Sequence, residues 1–130
     1  MKIVKFTLII LGASLLLAGC SSGDSNSLLN ASKFQQEITK AGVVVLDVRT
    51  PDEYAAGHII QAVNIDVEAT DFASKIVSLD KNVVYAVYCH SGRRSAIAIE
   101  KLKAAGFTSL FELKDGIAAW QAAGLPLVGA

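Results

Sequence analysis

At 130 residues the chain holds one domain at most, since domains commonly run about 100 to 150 residues. Its 12 Lys and Arg balance 12 Asp and Glu with no basic patch, which argues against nucleic acid as a partner.

Lys2 and Lys5 precede an almost wholly apolar run at 6–17, shorter than the about 20 apolar residues a spanning helix needs, so 1–19 reads as a secretory signal. Leu17-Ala18-Gly19-Cys20 then resembles the bacterial lipoprotein signal. The resemblance implies cleavage before Cys20, its lipidation, and an exported protein anchored to the cell envelope and facing the periplasm. Ser21, in place of Asp, resembles the outer-membrane sorting form of that signal in Gram-negative cells. Several acyl chains on one residue hold durably, whereas a single chain binds only marginally. Residues 21–27 are Ser, Gly, Asp and Asn, so 20–30 reads as a flexible tether and 31–130 as the folded domain. Cleavage removes Lys2 and Lys5 and leaves 10 basic against 12 acidic residues. With Cys20 lipidated, Cys89 is the remaining thiol, and an unpaired cysteine in an exported protein requires an explanation other than a disulfide.

Residues 31–41 predict a first helix, with Phe34 and Ile38 four apart and Gly42 beyond its end. Residues 43–48 form an apolar run broken only by Asp47, as suits a strand covered on both faces. Thr50-Pro51-Asp52-Glu53 is a capping box with proline at the first helical position, and Gly57 can end that short helix. A short strand follows at 63–65, then a helix capped by Thr70 or Asp71 and ending near Leu79. A turn at 80–82 leads into a strand at 83–88, a helix to about 105, a strand at 109–112 and a last helix at 116–123. Alternating strands and helices predict an α/β sandwich with a largely parallel sheet, whose ligand crevice lies beyond the carboxyl ends of the strands.

Between the strand at 83–88 and the next helix stands Cys89-His90-Ser91-Gly92-Arg93-Arg94-Ser95. Successive backbone N–H groups in such a turn converge on one centre, and the helix adds the positive end of its dipole. Lowering a thiol from about 8.5 by two units takes roughly 2.7 kcal/mol. The dipole supplies only about 0.3 to 1 kcal/mol, whereas each hydrogen bond to a charged group supplies roughly 1.5 to 3. A ring of amides, helped by an arginine, is therefore expected to carry most of the effect. A buried, inert thiol is the competing reading, and the Ser, Gly and two arginines that follow argue against it. Asp47 and Arg49, charged at the end of an apolar strand, predict a structural ion pair under the crevice.

The spacing Cys89 to Arg94 resembles the Cys-x-x-x-x-Arg loop of single-domain rhodaneses, the thiosulfate sulfurtransferases. Leu46-Asp47-Val48-Arg49-Thr50-Pro51-Asp52-Glu53-Tyr54, Gly57-His58-Ile59, Ala62-Val63-Asn64-Ile65 and Gly116-Ile117-Ala118-Ala119-Trp120 are similar to landmarks of that family in order and spacing. Gln61 departs from it, where a glycine is usual. The resemblance implies a three-layer sandwich with a central sheet of about five strands and helices on both faces. It also implies sulfur transfer without metal or organic cofactor: Cys89 takes the outer sulfur of a small anionic donor such as thiosulfate, forms a persulfide, and passes it to cyanide or a thiol. His90, Ser91, Gly92, Arg93, Arg94 and Ser95 would bind the donor, with Arg94 matching the closing arginine and His90 at the rim. His58 and Trp120 are expected to pack.

Two rivals share these features. Dual-specificity cell-cycle phosphatases share the fold but resemble Cys-x-x-x-x-x-Arg, and here the seventh position is Ser95. The other rival is a non-catalytic module or a persulfide carrier that passes sulfur to a partner protein.

Overall fold

The computed structural model describes residues 25–129, so the leader expected at 1–19, Cys20 and the first tether residues lie outside the described residues. The chain runs β1 (Ser25–Leu29), α1 (Ala31–Ile38), β2 (Val43–Asp47), α2 (Pro51–Ala55), β3 (Val63–Asn64), α3 (Phe72–Val77), β4 (Val84–Tyr88), α4 (Arg93–Ala104), β5 (Ser109–Leu113) and α5 (Gly116–Ala122). The strands stand in the order β1-β5-β4-β2-β3, and every pairing is parallel. From β2 the chain moves outward to β3, and from β4 it moves outward the other way to β5. The order therefore reverses between β2 and β4, and a crevice opens beyond their carboxyl ends.

Alternation along the central strands builds two cores. Leu46, Tyr85, Val87, Cys89 and Leu110 pack with Phe72 and Ile76 of α3 and with Ala98, Ile99 and Leu102 of α4. Val45, Ala86, Tyr88 and Leu113 pack on the opposite face with Phe34 of α1 and with Ile117 and Trp120 of α5. The result is the expected three-layer sandwich, with the strands buried on both faces as a parallel sheet requires.

The fold departs from expectation at its start. Residues 25–29, read above as the end of the tether, form edge strand β1, which pairs with β5 from Ser25 opposite Ser109 to Leu29 opposite Leu113. An edge strand pairs on one side only, so it needs no continuous apolar run, and Leu28 is 60% exposed. Asn30, between β1 and α1, caps the helix: its side chain accepts from the Lys33 N–H at 2.9 Å. The capping box at Thr50 forms as expected, with the Thr50 hydroxyl accepting from the Glu53 N–H and Glu53 Oε2 accepting from the Thr50 N–H.

Gln61 takes a φ of +63°, the left-handed region that costs a side-chain-bearing residue roughly 1 to 2 kcal/mol. Gln61→Gly removes that strain but frees the unfolded chain, so a net gain of about 0.5 kcal/mol in urea unfolding is expected. A loss of stability would show that the Gln61 side chain, not its backbone, matters at this turn.

His58 and Trp120 pack, as expected. The His58 ring stacks on Tyr54 at 3.7 Å between centroids, and its main chain bridges Val128. Trp120 lies edge-on to Phe34, and its indole N–H donates to the Pro126 carbonyl at 3.0 Å.

Candidate active site

Cys89 follows the last residue of β4, next to the reversal of strand order. The loop it opens, 89–92, is four residues long, and α4 begins at Arg93. Gly92 occupies the N-cap of α4 with a φ of +105°, a conformation side chains resist, so Gly is the residue that lets the chain turn here. That turn aims the Gly92 N–H at Cys89 Sγ, 3.0 Å away. Of the ring of amides expected from the sequence, this is the main-chain donor within hydrogen-bond distance of the sulfur among the described residues. Cys89 is 1% exposed and also belongs to the core beneath α3 and α4.

The carbonyl side of the loop is held separately. The Ile117 N–H donates to the Cys89 carbonyl at 2.8 Å and the Ala118 N–H to the His90 carbonyl at 3.2 Å. The start of α5 therefore anchors the loop's oxygens. Gly116 makes this approach possible: a Cβ there would strike the His90 carbonyl carbon and oxygen, and its φ is +62°. In the sequence Gly116 stands as a landmark at the start of a helix, and the physical reason for a glycine there is this contact.

Ser95, on the first turn of α4 and wholly buried, lies under the sulfur. Its Oγ stands 3.5 Å from Cys89 Sγ, 3.0 Å from the Gly92 carbonyl and 2.8 Å from Glu112 Oε1. Glu112 on β5 was not among the expected site residues. A lone carboxylate in an otherwise apolar strand was the signal that could have found it, as it did for Asp47.

Asp47 and Arg49 form the expected buried pair. Arg49 Nη2 lies 2.6 Å from Asp47 Oδ2, and Nε lies 3.0 and 3.1 Å from the two carboxylate oxygens. Burial pulls the Arg49 pKa down, but the Asp47 carboxylate overrides it and the net direction is up. The Tyr88 hydroxyl donates to Asp47 Oδ2 at 2.6 Å and accepts from the Ile59 N–H, while Arg49 Nη2 also reaches the Gly57 carbonyl. Burial first, and the Asp47 charge second, push the Tyr88 hydroxyl far up, so it stays a donor. Asn64 of β3 ties down the carbonyls of Asp47 and Arg49. Arg49, Gly57 and His90 line a crevice of about 230 Å³ with Glu53, Ile117, Gln121 and Leu127. Ser91 and Gly92 face a second cleft of about 330 Å³, shared with Leu28, Ala96, Glu112, Lys114 and Asp115.

The two arginines divide. The Arg93 side chain is 78% exposed and reaches Glu68 only at 3.9 Å, so it projects away from the sulfur. Being at the helix start, it follows the outward face of α4. Arg94 turns toward α2, where Nη1 and Nη2 grip Glu53 Oε2 and Oε1 at 2.8 and 3.1 Å. Glu53 thus serves α2 as cap and Arg94 as counter-ion. Arg94 holds the Glu53 carboxyl below the usual range, and Glu53 raises the arginine in turn. Among the described residues, no three His, Cys, Asp or Glu side chains cluster as a metal site would require.

Comparison with known proteins agrees with this architecture. Residues 30–123 match the rhodanese-like domain family. An uncharacterized Synechocystis protein is 32% identical over 108 residues, covering 83% of this chain, which spans 59% of that protein's length. A protein named sulfurtransferase from Allochromatium vinosum is 33% identical over 103 residues, covering 79% of this chain and 94% of its own. The crystal structure of a rhodanese-related protein from Thermoplasma volcanium superimposes with a TM-score of 0.71 at 33% identity, covering 80% of this chain and 99% of that one.

Proposed function

The chain belongs to the rhodanese-like domain family, and from that premise we propose that it is a sulfurtransferase working through Cys89. The observation that carries the reading is the Gly92 N–H aimed at Cys89 Sγ at 3.0 Å, at the carboxyl end of the sheet where its strand order reverses. A thiolate there attacks the outer sulfur of thiosulfate. The new S–S bond forms as the old one breaks, and its electron pair leaves with sulfite. Cyanide or a thiolate then takes the terminal sulfur of the Cys89 persulfide and returns the thiolate. The Gly92 amide donates to the thiolate and the persulfide anion alike, so one loop serves both halves of the cycle. A sulfur exposed this little favours a small donor over a bulky one. Arg94 meets the donor's oxygens while balanced against Glu53, and His90 lines the way in. No metal or organic cofactor enters either step.

The same proposal places the domain on the periplasmic side of a bacterial envelope membrane, lipid-anchored at Cys20, on the strength of the leader and its Leu17-Ala18-Gly19-Cys20 end.

Intact mass spectrometry after exposure to thiosulfate tests the reading. The protein should gain the mass of one sulfur atom, lose it to cyanide, and gain nothing once Cys89 is alkylated. No gain in the unalkylated protein would sink the proposal.

A further inference from the structure

The Ser95 hydroxyl carries one hydrogen and has three neighbours: Cys89 Sγ at 3.5 Å, the Gly92 carbonyl at 3.0 Å and Glu112 Oε1 at 2.8 Å. An ionised carboxylate and a carbonyl accept only, so with Glu112 charged that hydrogen points away from the sulfur. Ser95 then presents lone pairs to Sγ, an arrangement that suits a thiol donating its S–H and opposes a thiolate. A protonated Glu112 reverses the chain: its O–H donates to Ser95 Oγ, and the Ser95 hydrogen is free to turn to the sulfur anion. We propose that Glu112 is a positioning residue which, through the direction of the Ser95 hydroxyl, sets how readily Cys89 becomes a thiolate.

The surroundings of Glu112 fit this role. At 9% exposure it is a buried carboxyl on β5, and Ser95 is its hydrogen-bonding partner. Burial pushes its pKa up, against the downward pull of Ser95 and of Lys103 on α4. Lys114 and Asp115, on the loop after β5, line the cleft that Glu112 shares, and β1 contributes no charged residue. Arg94 is raised first by Glu53 and to a lesser degree by Cys89, and its ion pair with Glu53 turns it toward α2. Nothing is oxidised or reduced in the switch. One proton moves on or off Glu112 and the hydroxyl rotates.

The inference rests on the reading of Cys89 as a nucleophile, but its test uses no sulfur donor. The rate of alkylation of Cys89 by iodoacetamide, followed against pH, reports the thiolate directly. Glu112→Gln keeps the size of the side chain, removes the charge and can donate to Ser95. Its alkylation midpoint should fall by about one pH unit, roughly a tenfold gain in rate on the acid side of the profile. Glu112→Met, which leaves the Ser95 hydrogen uncontested by a carboxylate, should shift the midpoint the same way and stands in if the glutamine variant folds poorly. In a Ser95→Ala background neither change should move the midpoint. A midpoint that stays or rises in both single variants overturns the proposal. So does a fall that persists without Ser95, because plain repulsion between two negative charges then explains it.

Discussion

Cys89→Ser is expected to abolish the proposed sulfur transfer, with turnover of thiosulfate and cyanide falling by at least about 10³-fold, while the fold stays intact. An alcohol in this position is far less acidic than a thiol, and one amide at 3.0 Å supplies only about 1.5 to 3 kcal/mol toward an anion. An alkoxide would require many times that. The cost to folding is small because serine nearly matches cysteine in volume and its hydroxyl can accept the Gly92 N–H and donate to Ser95. Steady-state turnover, with far-UV circular dichroism and urea unfolding as controls, checks both halves. Turnover near the wild-type rate in this variant would remove Cys89 from the chemistry altogether.

Arg49→Ala has the largest expected effect on stability. Asp47 is wholly buried and takes three of its contacts from the Arg49 side chain. Removing the guanidinium leaves a buried carboxylate with the Tyr88 hydroxyl and the Arg49 main-chain N–H. Breaking such a pair from one side costs about 3 to 5 kcal/mol, a large part of the roughly 5 to 15 kcal/mol that holds a domain folded. With a urea slope of about 1.5 kcal/mol per molar, the midpoint should drop by roughly 2 to 3 M. Replacing both partners together, Asp47→Leu with Arg49→Met, should recover much of the loss, because no charge is then stranded. A drop under about 0.5 M in the single variant would mean that water reaches Asp47 and the pair is not buried as described.

The two variants separate the two layers of the site. Cys89 carries the atom proposed to react, and Arg49 holds the buried Asp47 at the end of β2. Both were legible as residues: a thiol followed by Ser, Gly and two arginines, and two charges closing an apolar strand. Glu53 was legible as a helix cap, but nothing local reveals that the same carboxylate also meets an arginine 41 positions later. Arg93 and Arg94 are neighbours of identical chemistry, and helical geometry about 100° per residue sends one to solvent and the other to α2. Glu112 stands out in β5 as a lone carboxylate, but its partner Ser95 lies 17 positions away on α4 and no local pattern pairs them.

The sequence by itself determined the alternation of strands and helices, the cap at Thr50, the short turn after Cys89 and the charged end of β2. These depend on hydrophobic period, capping chemistry and torsional freedom, which act over a few residues. Only the tertiary structure decided that residues 25–29 form an edge strand, that α5 anchors the carbonyls of the cysteine loop, and that Ser95 and Glu112 meet under the sulfur. Those contacts follow from which strands become neighbours and in what register. That choice is made by burying two opposite faces at once, and no short stretch of chain records it.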